Sequence, residues 1–256
     1  MDKPNAGVFN LLGIPILNIT MQQALDLLFS SLGPQSKTQE IHFVNAHCIN
    51  VAAKQAQYLE ILQNAKAIFP DGTGIRKAGD TLGTPIIDNV NGTDMFPLLC
   101  ERCAAEGKTL YLLGAGPTIA QKTAQWANDH AKKAIVAGYQ DGFFSKGEEP
   151  NVISRINASK ADFLLVAMGV PRQELWIHEQ RDLLTVPVSM GVGGLFDFYS
   201  GSIARAPTWM RKIGIEWVWR LIMEPRRMWK RYVIGNAEFL LRIQKIKRTK
   251  REINNQ

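Results

Sequence analysis

Two short apolar runs, each closed by glycine, constrain the fold of this chain more than any other feature. The first spans residues 163–168 and precedes Gly169, and the second spans residues 186–190 and precedes Gly191. Runs of this length, rich in Val, Leu and Met, are typical of strands buried on both faces of a parallel sheet. Ligands of open α/β sheets bind beyond the carboxyl ends of the strands. Because polar residues follow both runs, we expect a binding site there. These residues are Gln173, Glu174 and Asp197.

Strand and helix patterns alternate along most of the chain. Residues 8–19 predict a short strand pair or an edge strand, interrupted by a glycine and a proline. Further runs typical of strands occur at residues 41–44, 67–69, 109–113 and 134–137, with helical patterns between them. This alternation predicts an α/β fold with a Rossmann-like, doubly wound parallel sheet.

The carboxyl-terminal segment has a different composition. Residues 205–251 contain 14 Lys and Arg against three Asp and Glu, a net charge of +11, whereas the rest of the chain carries −4. Four of the six tryptophans lie from Trp209 onward, and Pro225 interrupts the helical pattern. We place a boundary near Ser202. It separates an α/β domain, residues 1–202, from a basic helical appendage, residues 203–256.

The composition of this appendage is compatible with three interpretations. Its arginines match phosphate oxygens in geometry, and tryptophan with Lys and Arg on an amphipathic helix suits a membrane interface. The third interpretation is a solvated face above tryptophans that belong to the core, which the clustering disfavours. No nucleic-acid-binding motif is present, so we expect no nucleic-acid partner.

Several protein classes are disfavoured. Cys48, Cys100 and Cys103 do not suggest a disulfide framework, and the C-x-x-C pair lies on an amphipathic helical pattern that explains both as buried small residues. The amino terminus lacks a charged segment followed by an apolar one, and no run of about 18 apolar residues occurs. We therefore expect a cytosolic chain without a signal peptide or a membrane-spanning helix.

A glycine-rich turn follows the predicted strand at residues 109–113. Backbone amides of Gly114, Ala115 and Gly116, at the start of a helix, could hold a diphosphate. A dinucleotide site also needs an acidic residue at the end of the next strand, where Gly138 and Tyr139 stand instead. The pattern favours a nucleotide diphosphate over a nicotinamide, and a nucleotide-dependent oxidoreductase remains the alternative.

Asp71 follows a short strand and precedes Gly72. A carboxylate in that place serves as a general base, as a metal ligand or as a turn residue. His42 and His47 flank Asn45, but no His, Cys and Asp cluster has ligand spacing, so we predict no metal site. No G-x-S-x-G nucleophile motif is present.

Together these motifs resemble the WecG/TagA/CpsF family of bacterial glycosyltransferases, over roughly residues 8–235. The resemblance rests on many short motifs in the same order. They are Asn45, Pro70-Asp71-Gly72, Val90 to Asp94, Leu113 to Gly116, Gly138 to Phe143, Gly169 to Glu174, Gly191 to Gly194, Phe196-Asp197-Phe198, Gly201, Arg205-Ala206-Pro207, Glu216-Trp217, Arg220-Leu221 and Glu224 to Arg227.

The resemblance implies a GT-E-like enzyme that inverts the sugar configuration and needs no metal or other cofactor. It implies transfer of a hexose or N-acetylhexosamine-type sugar from a UDP-sugar to a saccharide on a polyprenyl diphosphate, for a surface polysaccharide. The basic segment would close the site and contact an anionic membrane surface, which places the enzyme peripherally on the inner face of the cytoplasmic membrane. An apolar face left exposed by a mobile tail would favour a homo-oligomer.

Roles for individual residues follow from the resemblance and from their chemistry. Asp71 is the expected general base, and Asn45 and Gln173 would orient the acceptor or the donor. The arginines and the glycine-rich amides would stabilise the departing UDP. The expected nucleotide-sugar site comprises Gly114, Ala115, Gly116, Gly138, Tyr139, Gly142, Phe143, Gln173, Glu174, Gly193 and Asp197. The expected sugar or acceptor pocket comprises Asn91, Gly92 and Asp94. The expected diphosphate ligands are Arg205, Arg220, Arg226 and Arg227.

The chain departs from teichoic-acid members of that family at three positions that flank the presumed sugar pocket. It has Phe43 where they have Thr, Asn89 where they favour Arg, and His47 where they favour Glu. These differences leave the donor sugar open among N-acetylmannosamine, glucose and mannosaminuronate.

Overall fold

A computed structural model of the chain describes residues 7–33 and 36–254. Eight strands form one sheet in the order β1-β2-β4-β3-β8-β7-β5-β6. Strands β1 and β2 pair antiparallel at one edge, and every other pairing is parallel. The Rossmann-like parallel core is therefore confirmed. The strands are β1 (Gly7–Leu11), β2 (Ile14–Asn18), β3 (Gln39–Val44), β4 (Ala67–Pro70), β5 (Leu110–Gly114), β6 (Val136–Gln140), β7 (Phe163–Ala167) and β8 (Val188–Gly191).

Helices connect the strands and cover the sheet. Thr20 begins the first helix with a capping box: its hydroxyl accepts from the Gln23 backbone, and the Gln23 side chain accepts from the Thr20 backbone. The helices of the sheet region are α1 (Met21–Ser30), α2 (Ala46–Ala52), α3 (Ala56–Asn64), α4 (Thr73–Leu82), α5 (Gly92–Glu106), α6 (Ile119–Ala131), α7 (Glu149–Ser159), α8 (Arg172–Gln180) and α9 (Leu195–Tyr199).

Further helices follow the sheet region. They are α10 (Thr208–Lys212), α11 (Glu216–Met223), α12 (Pro225–Trp229), a π-helical turn (Lys230–Ile234) and α13 (Gly235–Asn254). None of the described helices combines the length and the apolarity that crossing a bilayer requires. The basic helical appendage that the sequence predicts is thus present as five successive helical segments.

The central strands explain the apolar runs in the sequence. Every residue of β5, β7 and β8 is buried, because the sheet carries helices on both faces. Gly114 ends β5 with a φ of 125°, and a Cβ there would lie 2.5 Å from the Ala167 carbonyl oxygen. Glycine is therefore required where the loop after β5 passes the end of β7.

The order of the strands brings several loops to one edge of the sheet. The chain moves outward from β3 to β4 and then crosses to β5 on the other side of β8 and β7. Because β3, β4, β8, β7 and β5 are parallel, the loops after their carboxyl ends share that edge. A ligand site of an open α/β sheet forms there.

Part of the appendage belongs to the core. On α13, which packs on α2 and α4, Phe239 and Ile243 are buried in one apolar cluster with Ile49 and Ile75. Asn50 of α2 also donates a hydrogen bond of 2.7 Å to the Gly235 carbonyl. The boundary near Ser202 stays a prediction. The last helix nevertheless stabilises the sheet region, and its removal would expose buried apolar surface.

Candidate active site

A cavity of about 410 Å³ lies at the carboxyl edge of the sheet. Its floor is formed by the loops after β3, β4, β5, β7 and β8, and its opposite side by three arginines of the appendage. Twelve predicted site residues line it, ten from the sheet region and two from the appendage. They are Asn45, Asp71, Gly92, Ala115, Gly116, Gly142, Phe143, Gln173, Gly193 and Asp197, with Arg220 and Arg227 added by the appendage.

Asp71 stands at the centre of this arrangement. It follows β4 directly, and its backbone N–H donates to the Val44 carbonyl at the end of β3 (2.8 Å). The Asn45 Nδ2 atom donates to Asp71 Oδ2 at 3.1 Å. The Oδ1 atom of Asn45 meanwhile accepts from the backbone amides of His47 and Cys48, so that Asn45 caps α2. These bonds to α2 fix the orientation of the Asn45 side-chain amide, which in turn fixes the orientation of the Asp71 carboxylate.

Burial raises the pKa of the Asp71 carboxyl above its usual value. The hydrogen bond from Asn45 and the charge of Arg231 oppose this shift, whereas the charge of Asp94 adds to it. A carboxylate with a raised pKa is a stronger base than one in water, and Asp71 opens onto the cavity. The arrangement is suited to taking a proton from a hydroxyl group.

Gln173 joins the two loops that the apolar runs predicted. Its Oε1 atom accepts from the backbone amides of Gly169, at 3.1 Å, and Gly193, at 3.0 Å. Its Nε2 atom donates to Glu174 Oε1 at 2.8 Å. Gln173 is 2% exposed and Glu174 is fully buried. Gln173 therefore lines the cavity and links the loops after β7 and β8 through its hydrogen bonds. Glu174 does not line the cavity and contacts Gln173 from the buried side.

The glycine-rich turn after β5 forms one wall of the cavity. Ala115 and Gly116 line it, and the Ala115 carbonyl accepts from the Gly142 amide at 3.0 Å, which brings the loop after β6 alongside. Gly114 lies in β5 itself. Arg172, which the sequence analysis did not select, also lines the cavity and donates to the Gly142 carbonyl (3.4 Å). Arg172 could have been selected from the sequence because it lies inside the motif from Gly169 to Glu174.

Two residues of the predicted nucleotide site lie outside the main cavity. Gly138 and Tyr139 belong to β6, and a Cβ at Gly138 would lie 2.5 Å from the Tyr111 ring. The Tyr139 side chain is about half exposed and lines a neighbouring open groove, which it shares with Phe143. Phe143 borders both the groove and the cavity, so the groove continues the main site outward.

The predicted sugar or acceptor pocket is only partly in the cavity. Gly92 lines it beside Phe43. Asn91 is buried and caps α5, since its Oδ1 atom accepts from the Asp94 amide at 2.8 Å. Asp94 contacts Arg205 and lies 3.7 Å from Arg211 Nη1.

The Asp94 contacts join α5 to the appendage. Burial opposes ionisation, but hydrogen bonds from Asn91 and Arg205 lower the pKa of Asp94 below its usual value. The Nε atom of Arg205 lies 3.8 Å from Glu216 Oε1 on α11. Asp94 and Arg205 therefore form a link between α5 and the appendage, and neither lines the cavity.

The other predicted diphosphate ligands take different places. Arg220 lies 3.8 Å from Asp197 Oδ2 and packs against Gly194, where a Cβ would lie within 2.4 Å of its guanidinium. Arg227 lines the cavity and pairs with Glu224 at 2.8 Å. Arg226 is exposed and does not line the cavity, because it lies on another face of the short helix α12.

Arg231 is the cavity arginine that the predicted diphosphate set omitted. It lies on the π-helical turn, lines the cavity, and its charge lowers the pKa of Asp71. Its Nε atom is buried and has no hydrogen-bond partner among residues 7–33 and 36–254. From the sequence, Arg231 is one of several cations of the appendage, and no neighbouring residue distinguishes it from Lys230.

Within the part of the chain that the structure describes, no three His, Cys, Asp or Glu side chains are grouped so as to hold a metal ion. The charged residues that line the cavity are two aspartates and four arginines: Asp71, Asp197, Arg172, Arg220, Arg227 and Arg231. This arrangement pairs a basic carboxylate with cations that suit a phosphorylated ligand.

Comparison with known proteins gives this site its class. The sequence model of the Glycosyl transferase WecG/TagA/CpsF family matches residues 9–253, and the chain belongs to that family. The resemblance inferred from the motifs is thereby confirmed. Membership of a glycosyl transferase family decides against the nucleotide-dependent oxidoreductase.

Two relatives match over nearly their whole length. The chain is 30% identical over 238 residues to the N-acetylglucosaminyldiphosphoundecaprenol N-acetyl-beta-D-mannosaminyltransferase of Bacillus subtilis (strain 168), which covers 93% of this chain and 91% of the relative. It is 31% identical over 253 residues to the protein of the same name from Staphylococcus aureus (strain MW2), with 96% of each chain covered.

Proposed function

We propose that this protein is an inverting, metal-independent glycosyltransferase. It moves a hexose or N-acetylhexosamine-type sugar from a UDP-sugar to a polyprenyl-diphosphate-linked saccharide during the synthesis of a bacterial surface polysaccharide. The observation that carries the proposal is the Asp71 carboxylate, held by Asn45 in a cavity that also receives Arg227 and Arg231. A base for the acceptor and cations for the departing diphosphate share one space.

Asp71 is the general base of this mechanism. As the acceptor oxygen forms its bond to the anomeric carbon, the hydroxyl proton passes to the Asp71 carboxylate. Asn45 donates to one carboxylate oxygen, so the other is free to receive the proton in a fixed direction. The bond between the anomeric carbon and the phosphate oxygen breaks in the same displacement, which inverts the configuration.

The departing UDP carries the negative charge that develops in the transition state. Arg231 and Arg227 supply guanidinium groups at the cavity, and the turn at Ala115 and Gly116 supplies backbone amides. Such donors stabilise a leaving diphosphate most when they are fixed before the reaction begins. Because these groups could neutralise the diphosphate themselves, the mechanism requires no divalent cation.

The open groove next to the cavity would hold the nucleoside. Tyr139 and Phe143 line it and expose about half and three quarters of their side chains, which leaves aromatic faces available for stacking on a base. Gly142 and the glycine-rich turn then lie between the nucleoside and Asp71. This placement would put the sugar of the donor at Asp71, Asn45 and Gly92.

The acceptor class follows from the relatives, whose names describe transfer to N-acetylglucosaminyldiphosphoundecaprenol. A polyprenyl diphosphate is embedded in a membrane, so the enzyme must work at a lipid surface. The appendage is suited to that surface, because exposed apolar side chains lie beside its basic residues. Exposed examples are Trp209, Ile213, Ile222, Trp229 and Leu241. We infer a peripheral enzyme on the inner face of the cytoplasmic membrane.

The test is UDP release from a panel of UDP-sugars, with a short-chain polyprenyl diphosphate saccharide as acceptor and EDTA present. Release that requires the acceptor and occurs with one donor would establish the reaction and its independence of metal. UDP binding by calorimetry accompanies each assay. No release and no UDP binding would overturn the proposal, whereas UDP binding without release would exclude the acceptors tried.

A further inference from the structure

One polar side chain of the open groove beside the cavity has a defined orientation. Gln140 ends β6, and it lines the groove together with Tyr139 and Asp141. Arg155 of α7 also lines the groove, and its Nη2 atom donates to Gln140 Oε1 at 2.7 Å. Neither Gln140 nor Arg155 takes part in the proposed transfer step.

The chemistry of Arg155 decides which end of the Gln140 amide faces it. A guanidinium carries N–H donors and no acceptor. The amide oxygen therefore faces Arg155, because a reversed amide would set its NH₂ group against the N–H groups of the guanidinium. The NH₂ group of Gln140 is directed away from Arg155. Since Gln140 lines the groove, it offers hydrogen-bond donors to a ligand there.

The next residue in the chain supplies a group of the opposite kind. Asp141 lines the groove, and its Oδ1 atom accepts from the Phe143 backbone amide at 2.9 Å, which orients the carboxylate in the loop after β6. An ionised carboxylate only accepts hydrogen bonds, and it can accept at both oxygens. The groove therefore offers a donor from Gln140 and an acceptor from Asp141 at successive positions of the chain.

A donor beside an acceptor matches one class of nucleobase. Uracil presents the O4 carbonyl beside the N3–H donor, and guanine presents O6 beside N1–H. Cytosine and adenine present an amino group beside a ring nitrogen that accepts. Their edges would set donor against donor at Gln140 and acceptor against acceptor at Asp141. Proteins commonly read a base in this way, by stacking it on aromatic side chains and by hydrogen bonds to its Watson–Crick edge.

We propose that Gln140, oriented by Arg155, selects uracil as the base of the donor nucleotide. The Gln140 NH₂ group donates to the uracil carbonyl, and Asp141 accepts from the neighbouring ring N–H. Gln140 and Asp141 contact the base, whereas Arg155 is a positioning residue. The inference rests on the proposed function, which puts the nucleoside in this groove, and it adds the residues that distinguish UDP from CDP and ADP.

The selectivity comes from polar groups that a wrong base would leave opposed or unpaired. A site that hydrogen-bonds one group of a ligand discriminates against an analogue that carries the opposite group there. Because the groove is open, water can hydrate part of a mismatched edge, which limits the penalty. We therefore expect UDP to bind about 10–100-fold more tightly than CDP.

The experiment measures the affinities for UDP, CDP, GDP and ADP by calorimetry. Gln140→Glu replaces the donor by an acceptor of the same length, which suits the amino group of cytosine. The ratio of UDP affinity to CDP affinity should fall by at least about tenfold. The added negative charge weakens the binding of every nucleoside diphosphate, so the ratio isolates the effect on the base.

Two variants of Arg155 test its positioning role. Arg155→Leu removes the partner of the Gln140 oxygen, so that the amide can present either end to the base. The ratio of UDP affinity to CDP affinity should then fall toward one, because CDP binds more tightly. Arg155→Lys keeps a donor and should keep most of the preference for UDP. A purely structural role of Arg155 would lower both affinities together and leave their ratio unchanged.

A matched control and the opposing outcomes complete the test. Gln57→Glu makes the same chemical change at an exposed site of α3, outside the cavity and the groove, and should leave the ratio as in the wild type. Equal affinities of the wild type for UDP and CDP, or a ratio unchanged in Gln140→Glu, would overturn the inference and leave the proposed function intact. GDP bound more tightly than UDP would overturn the choice of uracil. A wild type that binds no nucleoside diphosphate would overturn the proposed function together with this inference.

Discussion

The chemistry of Asp71 depends on two opposing influences on one carboxylate. Burial raises its pKa and makes the carboxylate a stronger base, while the hydrogen bond from Asn45 and the charge of Arg231 favour the ionised form. Asn45 serves two structural purposes with one side chain, because its oxygen caps α2 and its nitrogen holds Asp71. The local geometry therefore fixes the carboxylate of the proposed base before any ligand arrives.

Asp71→Asn should lower turnover by about 10²–10⁴-fold and leave UDP binding intact, since the amide keeps the shape but cannot take the proton. The same change should stabilise the protein near pH 7.5. The folded pKa is raised, so the stability contributed by protonated Asp71 is present at low pH and is lost as pH rises through that pKa. A melting temperature higher by about 2–4 °C near pH 7.5, with the difference closing toward pH 4, would bear this out. Unchanged turnover would remove Asp71 as the base.

The arginines of the appendage should differ in effect according to where the structure places them. Arg231→Gln removes a guanidinium that lines the cavity beside Asp71, so we expect UDP affinity or turnover to fall by about 10–100-fold. Arg226→Gln makes the same change on an exposed side chain outside the cavity and is the matched control, with an expected effect below about threefold. Equal effects of the two substitutions would show that the appendage acts only through its net charge.

Most cavity residues of the sheet region were predictable, and several contacts of the appendage were not. Asp71 and Asn45 directly follow strands, and that position alone indicates the binding edge of a parallel sheet. The sequence predicts Arg205 as a diphosphate ligand. In the structure its guanidinium is hydrogen-bonded to the carboxylate of Asp94, which lies more than a hundred residues earlier in the chain. Such pairs depend on how distant segments of the chain pack together, which neither the spacing of motifs nor the composition of the sequence indicates.

At the scale of elements, the appendage is joined to the sheet region at a close backbone approach. The Thr73 hydroxyl at the start of α4 donates to the Gly214 carbonyl at 3.3 Å. Within the appendage, Trp219 Nε1 donates to the Ala204 carbonyl at 2.9 Å. Gly214 adopts a φ of +76°, and a Cβ there would lie 2.2 Å from Thr73 Cγ2. The turn between α10 and α11 therefore needs glycine for its conformation and for the space it leaves.

Gly214→Ala should loosen α10 and α11 from α4 and accelerate tryptic cleavage within them. The strained φ contributes about 1–2 kcal/mol, and the contact with Thr73 adds to it. Adding Thr73→Ser removes the methyl group and should restore part of the resistance. Gly83→Ala is the matched control, because Gly83 also has a positive φ (+81°) but a Cβ there meets nothing within 4 Å. Cleavage of α10 and α11 accelerated as much by Gly83→Ala as by Gly214→Ala would contradict this role of Gly214.

The alternation of strands and helices was predictable because each element carries its own periodicity. The packing of α13 was not. Its sequence is mostly polar and charged; Phe239 and Ile243 are buried in the core, and Ile246 packs against it partly buried. A few apolar residues three or four positions apart give a weak signal in a basic segment, so the sequence of the helix resembles that of a separate appendage. Its partners on α2 and α4 lie far away in sequence.

Across the whole molecule, positive charge and exposed apolar surface coincide in the appendage. Charge neutralisation tests its role better than truncation after Ser202, because truncation would also remove Phe239 and Ile243 from the core. Exchanging four exposed cations of α13 for Gln should weaken binding to vesicles containing anionic phospholipid. Those cations are Lys245, Arg248, Lys250 and Arg251. At about 1 kcal/mol per charge, the loss at low salt should be roughly 10²–10³-fold.

A control with three exposed lysines of the sheet region accompanies that variant. Lys122, Lys146 and Lys160 exchanged for Gln change the net charge by a similar amount at sites remote in sequence from α13. Vesicle binding should be nearly unchanged, since charges separated from the surface by more than a Debye length, about 10 Å at 0.1 M salt, are screened. Equal losses in both variants would mean that binding follows the net charge of the protein and not the appendage.

The most direct measurement is the transfer of a labelled sugar from its UDP donor to a polyprenyl diphosphate saccharide, in EDTA, by the wild type and by Asp71→Asn. UDP affinity is measured on the same two preparations. We expect acceptor-dependent transfer with inverted configuration by the wild type. For Asp71→Asn we expect transfer about 10²–10⁴-fold slower at equal UDP affinity. Retained configuration, or full transfer by Asp71→Asn, would contradict the proposed mechanism.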